Sequence, residues 1–318
     1  MSDRIKTIVA GVSQPNEGDP TLVAAAALAR WTGAALHLVQ AYTIPPVFSP
    51  PQLGYTSPEW TQHYADHIAD RLEATAHRVP GAESAVCHAV AGTPAQAILE
   101  TAAQEGADLV VVGAAGADRL GGRFLGTTAQ RVLRGADVPV LILRRPLRRP
   151  LRRVLLTSDL SELSAAVHEE GLDTAAAVFG APLALRSLLV LFLPLVGPSL
   201  LPREVLERAA LEELEDFLQA RRRHAVAVEP VVRVGVAPEE IAAEAEDWQA
   251  DLLVVGTHAR GWAARLMLGS VAEAALRDAP CNVLAVPPRA VALGEPAAAS
   301  EPAGESAAEA GRLAAASA

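Results

Sequence analysis

The chain has 318 residues, 51% of them hydrophobic, a formal net charge of −10 and two cysteines. That is enough apolar material for two domain-sized cores of roughly 140 residues each, and the negative balance excludes a nucleic-acid surface spread over the whole molecule. Cys87 and Cys281 lie far apart and build no disulfide framework, and the opening Met1-Ser-Asp-Arg-Ile-Lys has no apolar core, so no signal peptide and a cytoplasmic location are expected.

Taken in order, residues 6–12 read as an apolar strand and 20–31 as an alanine-rich helix that Gly33 ends. A second strand is expected at 36–42, a proline- and aromatic-rich loop at 42–58 and a helix at 59–78. A strand at 86–90, a helix at 94–105 opened by proline, a strand at 108–112, a helix at 127–134 and a strand at 138–143 complete the first part. The second part repeats this order. Strands are expected at 154–158, 183–193, near Val231, at 252–255 and near Val283, with helices at 163–178, 203–222, 238–249 and 270–277. Strands alternating with helices imply parallel βαβ units with right-handed crossovers, and continuous apolar runs such as Leu109-Val-Val-Val112 suit a sheet covered on both faces.

The two parts are a duplication. Gly92 and Gly235, Ile98 and Ile241, Asp108 and Asp251, Gly113 and Gly256, Gly126 and Gly269, and Val140 and Val283 each stand 143 positions apart, while Ile8-Val-Ala aligns with Val154-Leu-Leu at an offset of 146. So long a period means two domains rather than a solenoid. The expected organisation is a domain at 1–145, an arginine-rich linker at 146–152, a second domain at 153–288 and a disordered tail at 289–318 that is poor in large apolar residues.

Two stretches stand outside the repeat pattern. Residues 144–153 carry six arginines, with prolines that suppress a helix, and read as a solvated linker meeting acidic surface, a phosphate or anionic-partner site being the alternative. Residues 187–201 are fifteen uncharged residues, short of the ~20 needed to cross a bilayer and broken by Pro194 and Pro198. A buried strand followed by an apolar loop is expected there, and a partner-binding patch is the alternative.

The most informative motif is glycine-based. Asp108-Leu-Val-Val-Val-Gly113 is followed by Gly116, nine residues, then Gly126-Thr127. A strand ending in glycine lets the backbone take positive φ and approach phosphate oxygens without a Cβ in the way. Thr127 and Thr128 then open a helix whose free N–H groups and positive dipole end favour an anion, with Arg119 and Arg123 adding charge. The plain alternative is a tight turn and a helix cap.

In these motifs, in the Val90 to Pro94 lead into the third helix and in the closing Val138-Pro-Val-Leu, the sequence resembles the universal stress proteins in their tandem form, over residues 4 to about 288. The resemblance implies α/β architecture: two tandem five-stranded parallel sandwiches, Rossmann-like and of the adenine nucleotide alpha-hydrolase type. Its glycine signature implies an ATP-binding member, with or without Mg2+, that acts as a stress-response regulator. It also implies pairing through the last strand, here an intramolecular pseudo-dimer, with a homodimer left open, and a regulatory protein partner.

Carried over residue by residue, Val12, Ser13 and Ala41 would meet adenine and ribose. Val112 and Gly113 would close over them, and Gly116, Gly126, Thr127 and Thr128 would hold the phosphates. The family's usual aspartate is replaced here by Ser13, at a loss of ~1.5–3 kcal/mol for a charge-assisted contact. In the second copy the corresponding residues are Asp159, Gly256, Gly269 and Ser270. That copy keeps the aspartate but has Ala259 for the second loop glycine, after His258, which costs roughly 1–2 kcal/mol if the position is left-handed; Gly261 offers a shifted loop. The first copy is thus the better expected nucleotide site.

Competing functions remain open at this stage. Slow ATP hydrolysis or self-phosphorylation would involve Asp118 or Thr127, and a nucleotide-free interaction module would use residues 187–201. His63 and His67, four apart on a helix, lack a third ligand at fixed spacing and read as a solvated face. Nothing supplies a nucleophile, base and orienter at recognisable spacing.

Overall fold

The computed structural model describes residues 5–43, 58–114, 125–182, 184–192, 202–220, 227–257 and 269–287, with the backbone alone at 58–61 and 270. In the first half the elements are β1 (Thr7–Gly11), α1 (Pro20–Thr32), β2 (Ala35–Tyr42), α2 (Pro58–Ala76), β3 (Val86–Ala91), α3 (Pro94–Gln104), β4 (Leu109–Gly113), α4 (Thr127–Gly135) and β5 (Val140–Leu143). The second half repeats them as β6 (Arg153–Ser158), α5 (Glu162–Phe179), β7 (Ala184–Leu191), α6 (Arg203–Gln219), β8 (Val228–Val234), α7 (Ala237–Asp247), β9 (Leu252–Gly256), α8 (Ser270–Asp278) and β10 (Asn282–Val286).

The strands form one ten-stranded sheet in the order β3-β2-β1-β4-β5-β10-β9-β6-β7-β8. Each half is a five-stranded parallel sheet, and the halves meet where β5 and β10 pair antiparallel, Leu141 opposite Leu284 and Ile142 opposite Val283. Period-two alternation sends neighbouring strand residues to opposite faces. Ile8, Leu109, Leu141 and Leu284 join one apolar cluster with α1 and α5 residues, while Val9, Val110, Ile142 and Val283 join another with residues of α3, α4, α7 and α8. Both clusters run through the β5–β10 seam, so the core is shared rather than split. On the first face Trp31 of α1 meets Phe179 of α5 edge to face, with ring centroids 6.2 Å apart.

The offset of 143 extends to hydrogen bonds. Asp108 Oδ2 accepts from the Lys6 and Thr7 amides, and Asp251 Oδ2 accepts from those of Arg152 and Arg153. Each aspartate stands just before one inner strand and ties down the start of the next, which accounts for its place in both motifs. Asp19, Thr93 and Ser161 cap α1, α3 and α5 through their side chains. Gly33, at φ 76°, ends α1 in the left-handed region, as its glycine predicts.

The arginine-rich stretch meets carbonyls more than acidic side chains. Arg144 is buried, its guanidinium donates to the carbonyls of Leu276 and Arg277 at the end of α8, and Asn282 Oδ1 accepts from the Arg144 and Arg145 amides. A cation on the last carbonyls of a helix is favoured by the helix dipole. Leu151 is buried in the core, Arg149 lies 5.6 Å from the Trp31 ring, and Arg153 donates to the Trp248 carbonyl. Arg145, Arg148, Arg149, Arg152 and Arg153 are exposed, as expected of a solvated linker, while the contacts of Arg144, Leu151 and Arg153 fasten the crossing between halves.

Of the apolar segment, Ser187 to Leu191 belong to β7, with Ser187 and Leu188 fully buried, and Phe192 is exposed. Residues 193–201 and the tail lie outside the described residues, as do Gly116, Asp118, Arg119, Arg123, His258, Ala259 and Gly261. Among the described residues no helix is long and apolar enough to cross a membrane.

Candidate functional site

In the first half the chain runs from β1 outward to β2 and β3, then returns to β4 on the other side of β1. That reversal opens a crevice beyond the carboxyl ends of β1 and β4, the place where open α/β sheets bind ligands. A cavity of about 280 Å³ occupies it. Val12 and Ser13 from the end of β1, Val39 and Ala41 from β2, Val112 and Gly113 from β4, and Gly126, Thr127 and Thr128 from the start of α4 all line it. Every first-copy site residue expected from the sequence and lying within the described residues therefore faces one cavity. Sequence reasoning missed Gly11, Thr21, Val39, Pro94, Ile98 and Ala129, which complete the wall. They belong to strand and helix patterns that read as core, so no local signal marks them.

The floor is apolar and the mouth is polar. Gly11 packs closely on the wall: a Cβ there would come within 2.3 Å of Ile98 Cδ1 and would make that side chain shift. At the mouth, α4 starts at Gly126 with no side-chain cap, unlike α1, α3 and α5. Its first turn thus presents N–H groups and two threonines to the cavity. The Gly126 amide itself donates to the Ala114 carbonyl at 2.6 Å, pinning the base of the intervening loop. Neither the strand-ending Gly113, where a positive φ is expected from the sequence, nor Gly126, at φ −66°, lies in the left-handed region; what both offer is a missing side chain at the cavity wall.

The second half has a larger cavity of about 490 Å³ at the matching crevice, lined by Asp159, Gly256 and Gly269 among others, and Ser270 opens α8. The Gly269 amide donates to Thr257 just as Gly126 does to Ala114. The lining chemistry differs. Val167, Val190 and Val271 stand where the first half has Thr21, Ala41 and Thr128. Asp159 Oδ1 accepts from the Ser161 amide and hydroxyl and from the Ser164 hydroxyl, so the expected ligand-binding carboxylate is engaged at the start of α5. Its hydrogen bonds turn inward to the helix cap.

Titratable groups lie elsewhere. His63 and His67 are exposed on α2, and among the described residues they gather no third ligand. The cluster that the structure does assemble, His37, His88 and Glu105, brings His37 to a histidine 51 positions further along the chain. Burial raises the Cys281 thiol to about 12 and, with help from Glu73, the Cys87 thiol to about 11. Neither is a nucleophile at neutral pH.

A ten-stranded tandem sheet with a glycine-edged crevice in each half defines an α/β protein of Rossmann-like, nucleotide alpha-hydrolase type. The profile of the universal stress protein family matches residues 4–144 and 150–287. The chain belongs to the universal stress protein family, in a tandem arrangement whose halves form a pseudo-dimer through β5 and β10. It is 34% identical over 139 residues to a universal stress protein of Thermus aquaticus, covering 44% of this chain and 98% of that one. A Mycobacterium tuberculosis (strain H37Rv) universal stress protein is 27% identical over 248 residues, 74% of this chain and 80% of its own. The solved structure of a universal stress protein from Archaeoglobus fulgidus superposes with a TM-score of 0.59 at 18% identity, over 89% of this chain and 98% of that one, which shows the shared fold. Membership carries a role in stress response.

Proposed function

We propose that the chain binds an adenine nucleotide, ATP with or without Mg2+, in the first-half cavity and acts as a nucleotide-dependent stress-response regulator. The observation that carries this reading is the junction of an apolar crevice at the sheet's switch point with the uncapped start of α4. Val12, Val39, Ala41 and Val112 suit a base and ribose. The Thr127 and Thr128 hydroxyls and the first-turn amides suit phosphate oxygens, with Gly113 and Gly126 leaving room for them. At about 280 Å³ the cavity is just below the ~300–1,000 Å³ of typical small-molecule sites, which fits a buried nucleoside end with phosphates reaching outward. Bound nucleotide would favour one arrangement of the Gly113–Thr128 connection, which a protein partner reads.

The second cavity is the poorer site, because valines replace Thr21 and Thr128 and Asp159 serves the α5 cap. The test is mass spectrometry of small molecules released from native protein, beside a Gly126→Val variant. Residue 126 has a φ that valine tolerates, so the variant keeps its backbone while the side chain enters the cavity. About one adenine nucleotide per chain, absent from the variant, supports the reading. No nucleotide and no thermal shift with millimolar MgATP removes it in favour of a nucleotide-free interaction module.

A further inference from the structure

At the amino end of the sheet, away from the nucleotide crevice, three elements bring together a set of metal-ligating side chains. His37 is the third residue of β2, His88 the third of β3, and Glu105 the C-cap of α3. Parallel pairing sets His37 opposite Val86 and Val39 opposite His88, so the histidines are diagonal neighbours on one face. Their rings stack 5.3 Å apart at 21°, with His37 Nδ1 3.0 Å from His88 Nε2. Glu105 Oε2 lies 3.7 Å from His37 Nδ1, and all three ligand atoms fall within 4.8 Å of one another.

We propose that His37, His88 and Glu105 form a divalent transition-metal site of the zinc type, which the nucleotide reading does not require. Two imidazole nitrogens on one tetrahedral Zn2+ stand about 3.3 Å apart, given Zn–N bonds of about 2.05 Å, so the observed pair needs a few tenths of an ångström of opening and a turn of the rings that aims both lone pairs at one point. Without metal, two neutral imidazoles at this distance share one N–H between two nitrogens; metal binding needs the donor ring in its other tautomer, with the proton on the far ring nitrogen, so that both facing lone pairs are free for the ion. His37 is buried and Glu105 is exposed, which leaves the fourth position open to water on the solvent side. The carbonyl end of α3 adds the negative pole of its dipole beside the cation.

The second half gives the contrast. Arg186, opposite Glu229 in the strand ladder as His37 is opposite Val86, lies 4.6 Å from the Trp248 ring and pairs with Glu229 and Glu244. A fixed guanidinium cation fills that corner, so one ion per chain is expected. Helix α3 links the ion to the rest of the half, since Pro94 and Ile98 near its start line the crevice.

The test titrates metal-free full-length protein with ZnCl2 by calorimetry and follows thermal unfolding, with Co2+ as a spectroscopic stand-in. The expected result is about one Zn2+ per chain, a raised melting temperature and tetrahedral cobalt bands. His88→Ala removes binding, and Glu105→Gln weakens it at least by the ~10-fold that loss of a supporting second-shell group costs. A His63→Ala/His67→Ala variant binds as the parent does. The proposal is overturned by no binding at millimolar zinc, by binding unchanged in His88→Ala and Glu105→Gln, or by binding lost with His63 and His67. Glu105 is exposed, so its variant keeps the test decisive even if His88→Ala fails to fold.

Discussion

The two halves share strand order, register and loop anchors, yet their crevices and their opposite corners carry different chemistry. In the first half, threonines and small residues line the crevice and a histidine pair fills the corner. In the second, Val167 and Val271 take the places of Thr21 and Thr128, the hydroxyls lining the crevice come instead from Thr157, Ser158, Ser161 and Ser164 beside Asp159, and a network of Arg186, Arg233, Glu229, Glu240, Glu244 and Asp247 surrounds the corner. The difference teaches that backbone geometry survives duplication because the sheet and the Asp108 and Asp251 ties demand it. Side chains at the ends of strands answer to other requirements.

The sharpest way to break the comparison is at the seam, where the halves cease to be separate. Leu284 is almost fully buried opposite Leu141 in a cluster that spans both halves. Leu284→Ala should cost about 2–5 kcal/mol, read as a lower urea midpoint of a single cooperative transition; two separate transitions in the parent protein would mean that the halves fold independently. A second, smaller effect is expected at the ionic corner. Glu244 is buried with its oxygens 2.6 Å from both Arg186 and Arg233. Breaking a buried pair costs about 3–5 kcal/mol, and because both arginines keep outer partners we expect Glu244→Ala to lose about 2–3. Destabilisation below the ~0.5 kcal/mol usual at ordinary surface positions would reduce the network to surface decoration.

Within the crevices, Thr128→Val copies the second-half residue Val271 and should weaken nucleotide binding by about 2- to 12-fold, the worth of one hydrogen bond at ~0.5–1.5 kcal/mol. Equal affinity in the variant, measured by calorimetry, would remove the hydroxyl from the phosphate contacts. The smallest effect concerns the cysteines, one in each half. With thiols raised to about 11 at Cys87 and about 12 at Cys281, iodoacetamide at neutral pH should leave both unmodified in native protein. Rapid labelling of one half alone would expose a local opening there.

Much of the architecture was legible because it rests on local patterns. Apolar runs, helix periodicity, Gly33, Pro20 and Pro94 placed the elements close to their observed bounds, and the shared offset of Asp108 and Asp251 revealed the duplication. The crevice was legible where backbone chemistry makes it, at Gly113, Gly126 and the start of α4. Gly11, Thr21 and Ile98 were hidden, since a side chain lining a cavity and one packing a core follow the same periodicity. Asp159, expected as a ligand contact, lines the second cavity, and the hydrogen bonds of its Oδ1 to Ser161 and Ser164 appear only once the turn before α5 has folded. The arginines from 144 to 153 read as a solvated strap, but Arg144 finds helix carbonyls 132 and more residues away.

The sequence by itself determined two α/β repeats, their strand and helix order, and a glycine-edged crevice in each, because hydrophobic period and backbone freedom act over a few neighbouring residues. The resemblance implied pairing through the last strands, and tertiary structure decided its antiparallel register, with Leu141 opposite Leu284, and the common core that follows. Tertiary structure alone decided that Gly11, Thr21 and Ile98 share the first crevice's wall, and that His37, His88 and Glu105 meet. Those outcomes depend on the register of parallel strands and on groups brought together across long stretches of chain, and no local spacing encodes such distances.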